Sequence, residues 1–413
     1  MPSVPGEVED AIAQIEDQGL VGRIRLISGP QGPRVLLDGR PVLLLCSDNH
    51  LGLADHPQVR EAAADAAMRY GVGATSPRPV SGTMRIHRRL EERLADFHGH
   101  ESALLMGSRY LALIGAIPAL ARAGEVVLFD AGAHPATADG CRLAEAEEFA
   151  YRHGDLDHLE WGLLQAQGRA SLIVTEGVFA AGDRAQLEEI VELARRHDAR
   201  VLVDESHALG AVGDGSGAAA AAGVADEVDV LVGSLATALG SYGGYVACDR
   251  PLARYLAGAA RTFTHSTAPA PPAVAGAMAA LTLLRDEPRR VEKLRRNAAA
   301  LRAALASEGL PPLPGDSHIV SVHVGPSAGA GALVERILEK GLFVATTTTG
   351  ATAALRLSVM ASHTKSELAQ AARTLARAVP SSVRQAAASG AIEADRAGRP
   401  AAGGVFDGLA EAA

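Results

Sequence analysis

The run Val201-Leu202-Val203-Asp204-Glu205-Ser206-His207-Ala208-Leu209-Gly210 joins a short apolar segment to an acid and, three residues later, a histidine. An apolar run of that length ending in turn-forming residues reads as a buried strand, with Asp204 at its carboxyl end. A carboxylate there can pair with a protonated ring nitrogen of a bound heterocycle, or it can cap the turn after the strand. The imidazole of His207 suits proton transfer near neutral pH, or a structural hydrogen bond.

These groups need a frame. Short apolar runs at Ala103–Met106, Val126–Phe129, Leu172–Thr175, Val201–Asp204, Val228–Val232 and Gly244–Cys248 alternate with helix-period segments such as Ala185–Arg196. Strands apolar on both faces with helices between them predict a mostly parallel sheet covered on both sides. Ligands of such sheets lie beyond the carboxyl ends of the strands, where Asp204 stands. Ahead of this region come a leading helix over 8–20, a hairpin of Val35–Leu37 and Val42–Cys46 turned by Asp38-Gly39, a helix Pro57–Tyr70, an irregular Gly/Ser/Pro-rich stretch Gly71–Gly82, and a helix Ile86–Phe97. Beyond Pro269–Pro272 lies a long helical region over 273–308. A smaller α/β unit follows, with Ile319–Val324, a helix near 332–340, Leu342–Ala345, Leu355–Val359 and a helix after Thr364. We divide the chain into an N-terminal arm (1–55), a large domain (56–285), a small C-terminal domain (286–380) and an Ala/Gly-rich tail (381–413) that composition predicts to be flexible.

Composition narrows the class. The 39 basic and 48 acidic residues leave a net charge of −9, which argues against a general nucleic-acid binder. The three cysteines, Cys46, Cys141 and Cys248, have neither disulfide-framework nor zinc-ligand spacing. The N-terminus lacks a basic region followed by an apolar run, and no apolar run reaches spanning length. These features predict a soluble, cytoplasmic protein with no metal, nucleic-acid or membrane partner.

The motifs Ser47-Asp48-Asn49-His50-Leu51-Gly52-Leu53, Ser81-Gly82-Thr83 with His87 and Leu90-Glu91, Ala103 through Tyr110, Thr175-Glu176-Gly177-Val178-Phe179, the Asp204 segment, Phe263–Pro272 and Leu355–Ser358 occur in one order across about residues 20–380. In that order they resemble the α-oxoamine synthases, pyridoxal 5'-phosphate (PLP) proteins of fold-type I. The resemblance implies an α/β fold with a seven-stranded, mostly parallel sheet between helices and a smaller C-terminal α/β domain. It implies an acyltransferase that joins an acyl thioester, on CoA or a carrier protein, to an amino acid or amine. It also assigns roles. His134 stacks on the cofactor ring, Asp204 pairs with the ring nitrogen and keeps it an electron sink, and His207 lies near the phenolic oxygen. Ser108 and the amides of Arg109 and Tyr110 cup the phosphate at a helix N-terminus. Ser234 adds a hydroxyl, Ser266 or Thr267 reaches in from a second subunit, and Arg356 grips the substrate carboxylate beside Asn49 and Ser81.

The pattern departs from the family where its chemistry is centred. Members carry a Schiff-base lysine within Thr/Ser-(Leu/Phe)-Gly-Lys; this chain reads Ser234-Leu235-Ala236-Thr237. Its three lysines, Lys293, Lys340 and Lys365, all fall in the C-terminal third. Thr237 has no amine for an imine, and its hydroxyl is a poor base at neutral pH. Arg109 replaces the family's glycine and puts a cation beside the phosphate cup. Asp48-Asn49-His50 replaces Asn-Asn/Asp-Tyr, Ala180 replaces a serine, and Leu113 replaces an asparagine. The sequence therefore implies PLP held non-covalently at best, or no cofactor. The expected function is a lysine-independent acyltransferase using His134 or His207 as base; the alternatives are a silent partner of a lysine-bearing homologue or a ligand sensor, and the expected assembly is a homodimer or a heterodimer with such a homologue.

Overall fold

The computed structural model describes residues 4–17, 24–349 and 352–388. The leading helix runs Val4–Asp17, and residues 18–20 of the expected helix lie outside the described residues. Strands β1 (Ile27–Ser28), β2 (Arg34–Leu37) and β3 (Arg40–Leu44) form an antiparallel ribbon. Asp38 and Gly39 both have positive φ (49° and 78°), the two-residue turn that an Asp-Gly pair favours. The helix Pro57–Tyr70 occupies the residues its periodicity predicts.

The large sheet comprises β4 (Ser102–Met106), β5 (Val126–Asp130), β6 (Glu147–Tyr151), β7 (Ser171–Glu176), β8 (Ala199–Asp204), β9 (Val230–Ser234) and β10 (Gly244–Cys248). Its order is β4-β10-β9-β8-β7-β5-β6, and only β10 runs antiparallel to its neighbours. Side chains alternate between two buried layers. Leu105, Leu128, Ile173, Val203 and Leu231 face one core, and Leu104, Val127, Leu172, Leu202 and Val232 face the other. Helices cover both layers, as an all-apolar strand demands. The strand expected at Val228–Val232 is shifted to Val230–Ser234, so Ser234 becomes its last residue.

The remaining strands are β11 (Ile319–Pro326), β12 (Leu342–Phe343), β13 (Ala345–Thr349) and β14 (Thr352–Ser358). The single strand expected over Leu342–Ala345 is two: β12 pairs in parallel with β3, while β13 joins the β11-β14-β13 sheet. Within Gly71–Gly82, expected to be irregular, Arg78–Gly82 forms one turn of π-helix. A buried Arg78–Glu91 ion pair (2.8 Å) anchors that turn, and Glu91 also accepts the Leu105 N–H of β4 (2.9 Å). A Cβ on Gly82 would fall 1.9 Å from the Ser76 carbonyl oxygen, so only glycine fits there. Residues 389–413, most of the expected flexible tail, lie outside the described residues. Among the described residues no helix is long and apolar enough to cross a membrane. Cys46, Cys141 and Cys248 are free, and burial pushes the Cys46 and Cys248 thiols up to about 12.

Candidate active site

Strands β7 and β8 are parallel and in register at their carboxyl ends, so Glu176 lies directly beside Asp204. Both are buried, at 2% and 1% exposure. Two carboxylates side by side in an apolar core need a cation or a proton. The chain supplies the cation: Nε of Arg109 donates to Oδ2 of Asp204, and Nη2 of Arg109 lies 2.9 Å from Oε2 of Glu176. Arg109 is the first residue of the helix Arg109–Leu120, entered directly from β4, and its side chain is 12% exposed. The other Asp204 oxygen, Oδ1, accepts the Ser206 N–H (2.9 Å), and Oε1 of Glu176 accepts the His134 main-chain N–H. Burial pushes the Glu176 carboxyl up to about 7; the guanidinium pulls against that rise, and the adjacent Asp204 charge adds to it. The neighbouring Glu205 is also pushed up to about 7 by burial, although the Ala219 and Ala218 amides hydrogen-bond to it.

Of the other expected residues, His134 and His207 lie within reach of the Arg109 charge. His134 precedes the helix Pro135–Leu143, and its Nδ1 accepts the Ala136 N–H (3.1 Å). Burial, then the Arg109 charge, lowers its pKa. His207 is 7% exposed, and its Nδ1 has no hydrogen-bond partner among the described residues. Burial and then Arg109 hold it well below the usual imidazole range, so it is neutral at pH 7. Thr237 donates its hydroxyl to the Ser206 carbonyl (2.7 Å), and Ser234 Oγ accepts the Ala236 N–H (3.0 Å). Ser108 caps its own helix, accepting the Leu111 N–H (3.1 Å). Tyr110 is 42% exposed and donates to Asp139 (2.7 Å), away from the triad. Ser266 lies near Gly107 of the same chain, its Oγ 3.9 Å from where a Cβ on that glycine would be; Thr267 is exposed and bridges Pro77.

A second ion pair joins β14 to the loop after β3. Arg356 of β14 reaches Oδ1 of Asp48 (3.0 Å) and donates Nε to the Ala180 carbonyl (3.1 Å). Burial alone would raise the Asp48 carboxyl, but the Arg356 charge and hydrogen bond help to hold it below its usual range. Asn49 is spent on its loop, with Nδ2 donating to the Gln31 carbonyl (3.1 Å) and Oδ1 accepting the Ala54 N–H (3.2 Å). Ser81 is exposed, and its N–H donates to Ser76 Oγ (3.3 Å).

Four groups at the site were given no role from sequence. Glu176 and Asp48 lie inside the family-like motifs, where their acidity was the available signal. His50 and His318 pack ring to ring at 4.2 Å between centroids, and His318 lies 6.4 Å from His207. His318 offered no signal, being a lone histidine ahead of a strand. Burial, then its two histidine neighbours, holds it well below the usual range, and neither ring nitrogen has a partner among the described residues. Lys293, Lys340 and Lys365 are all exposed on the C-terminal helices or their ends. Among the described residues no group of three or more His, Cys, Asp or Glu side chains could hold a metal.

The chain matches the family model for aminotransferase class I and II over residues 40–375. It is 41% identical to the 8-amino-7-oxononanoate synthase of Geobacter sulfurreducens, over 91% of this chain and 97% of that one. The chain belongs to the α-oxoamine synthase family. Its fold is accordingly the PLP-dependent fold-type I. Serine palmitoyltransferase from Sphingomonas wittichii superposes with a TM-score of 0.86 at 29% identity, covering 91% of this chain and 98% of that one. A serine palmitoyltransferase of S. paucimobilis, carrying a lysine-to-alanine replacement and a bound PLP–myriocin aldimine, superposes at 0.85 with 30% identity, covering 91% and 98%.

Measured against the cofactor of this α-oxoamine synthase family, the residues present do not fit. The carboxylate assigned to the ring nitrogen already carries a guanidinium. The serine assigned to the phosphate is turned onto its own helix, and the position assigned to the lysine holds a threonine bonded to main chain. Arg109, expected beside the phosphate cup, instead turns its charge onto the acids below.

Proposed function

We propose that this chain is a cofactor-free member of the α-oxoamine synthase family, unable to carry out decarboxylative condensation itself and acting as the non-catalytic partner of a lysine-bearing homologue. The observation that carries this reading is the Arg109–Asp204–Glu176 triad. Loss of a lysine alone leaves room for a preformed aldimine, since the lysine-replaced serine palmitoyltransferase of S. paucimobilis holds a PLP–myriocin aldimine. A guanidinium seated on the ring's carboxylate does not leave that room. The Asp48–Arg356 pair supports the reading, because it spends the arginine assigned to the amino-acid carboxylate. So does the intact fold, which spans 98% of the serine palmitoyltransferase chain. Exposed Met68, Val72, Val80 and Tyr242 suit association with another subunit.

His207 favours a second reading. It is a buried, neutral imidazole with an unpartnered nitrogen among the described residues, and a lysine-independent transfer of an acyl group to an amine needs a base and orientation rather than an electron sink. Its depressed proton affinity makes it a weak base, which is why this reading stands second.

One assay decides between them. The purified chain is incubated with an acyl-CoA series or acyl-carrier protein, a panel of amino acids and amines, and PLP, and free thiol is followed. No release by the chain alone, together with formation of a mixed oligomer with a lysine-bearing homologue from the same organism, is the expected result. Thiol release by the chain alone, abolished by His207→Ala, would replace the partner reading with the acyltransferase.

A further inference from the structure

We propose that Arg109 and Asp48 are built-in substitutes for two ligand charges, the ring cation of PLP and the carboxylate of an amino acid, and that the pocket is a latent cofactor site blocked by the chain itself.

Two departures from the family pattern, Arg109 and Asp48, make the same kind of contact. Arg109 places a planar cation on Asp204 and Glu176, the acids at the ends of β8 and β7. Its charge also lowers the proton affinities of His134 and His207. Asp48 places a carboxylate on Arg356, 3.0 Å away, while Arg356 keeps its backbone contact to Ala180. The two pairs draw on residues 95 and 308 positions apart in the chain, so neither is an accident of local sequence. Both satisfy a buried or half-buried recognition group that an empty pocket would leave uncompensated. Around them the fold's receptor parts persist: the helix entered from β4 at Ser108, the strand-end acid, and the histidine before the Pro135–Leu143 helix. Thr237 occupies the position where an amine would complete the set, buried beside Ser206. The inference shares the cofactor-free premise of the proposed function but not its partner role, which the mixed-oligomer and thiol assays test separately.

The test is a gain of binding. Wild type, Thr237→Lys, Arg109→Gly and the double variant Arg109→Gly/Thr237→Lys are each titrated with PLP. Visible imine absorbance, borohydride fixation and peptide mapping of the fixed residue are read. The double variant is expected to bind one PLP per chain, fixed at position 237. Thr237→Lys alone, with the guanidinium still in place, is expected to bind at least about 100-fold more weakly, since the ring must displace a doubly paired charge. Equal affinity of Thr237→Lys and the double variant would overturn the blocking role of Arg109. So would failure of a folded double variant to bind. Should glycine at the start of the helix prevent folding, Arg109→Ser/Thr237→Lys replaces it, and the same outcomes apply. Adding Asp48→Asn to the PLP-binding variant is expected to lower, by about fivefold, the L-alanine concentration that perturbs the imine band. An unchanged concentration would overturn the Asp48 half.

Discussion

Removing the Arg109 side chain beyond Cβ leaves Asp204 and Glu176, with side chains 0% and 2% exposed, facing each other without a cation. Breaking a buried pair by deleting one partner costs about 3–5 kcal/mol, because the remaining charge stays desolvated. Arg109→Ala should therefore lose about that much stability at pH 8. The loss must shrink in acid. Without the guanidinium, the buried Glu176 carboxyl holds its proton to higher pH in the folded state than in the unfolded state, so folding takes up a proton. Stability then falls as pH rises from the unfolded carboxylate value, near 4, to the raised folded value, by about 1.4 kcal/mol per pH unit for each proton retained. Urea unfolding of wild type and Arg109→Ala at pH 5 and pH 8 measures both quantities. Arg109→Lys should recover only part of the loss, because a single ammonium cannot fork across two acids. A penalty below about 1 kcal/mol at pH 8, or one equal at both pH values, would refute the claim that the guanidinium compensates these two acids.

Other outcomes follow from the same geometry. In the wild type, Glu176 and Glu205 both titrate near 7 in the folded state, above their unfolded values; their contribution is complete at low pH and lost between about pH 4.5 and 7, visible as declining stability over that window. Burial alone would lower the His153 pKa, but its hydrogen bonds to Asp130 and Asp183, each 2.7 Å, outweigh that and raise it to about 10. His153→Gln should thus be destabilising at pH 6, and the difference from wild type should shrink as pH rises toward 10, as denaturant melts can show. Thr237→Val removes the buried donor to the Ser206 carbonyl and should cost about 1–3 kcal/mol by urea titration, with no effect on PLP binding. Ser108→Ala deletes the cap on the Leu111 amide and should cost about 1 kcal/mol in the same assay.

Much of this was legible from residue types alone. The Pro57–Tyr70 helix has proline at its first turn and glycine just past its end, so both limits are written locally. The central strands are apolar on both faces because helices cover both, and unbroken runs such as Leu172–Thr175 stand out. Edge strand β6 was not found: Glu147-Glu148-Phe149-Ala150-Tyr151 is half exposed, so its sequence is no apolar run. The β12–β13 division was hidden because Val344 keeps the run continuous while the strand partner changes. In the candidate site, Asp204, His134 and His207 were proposed from the family resemblance, but the direction of Arg109 was not. Which acid a long, flexible cation selects depends on Glu176 and Asp204 meeting in register across two strands, and that is tertiary information. His318 reaches the site from a loop distant in sequence, with nothing local to mark it.

The most direct measurement is the stoichiometry of PLP on the unaltered protein, by borohydride reduction and intact mass after equilibrium dialysis at micromolar cofactor. An arginine-filled ring site predicts no saturable binding and no fixed adduct. One PLP retained per chain, lost in Asp204→Asn, would contradict the account.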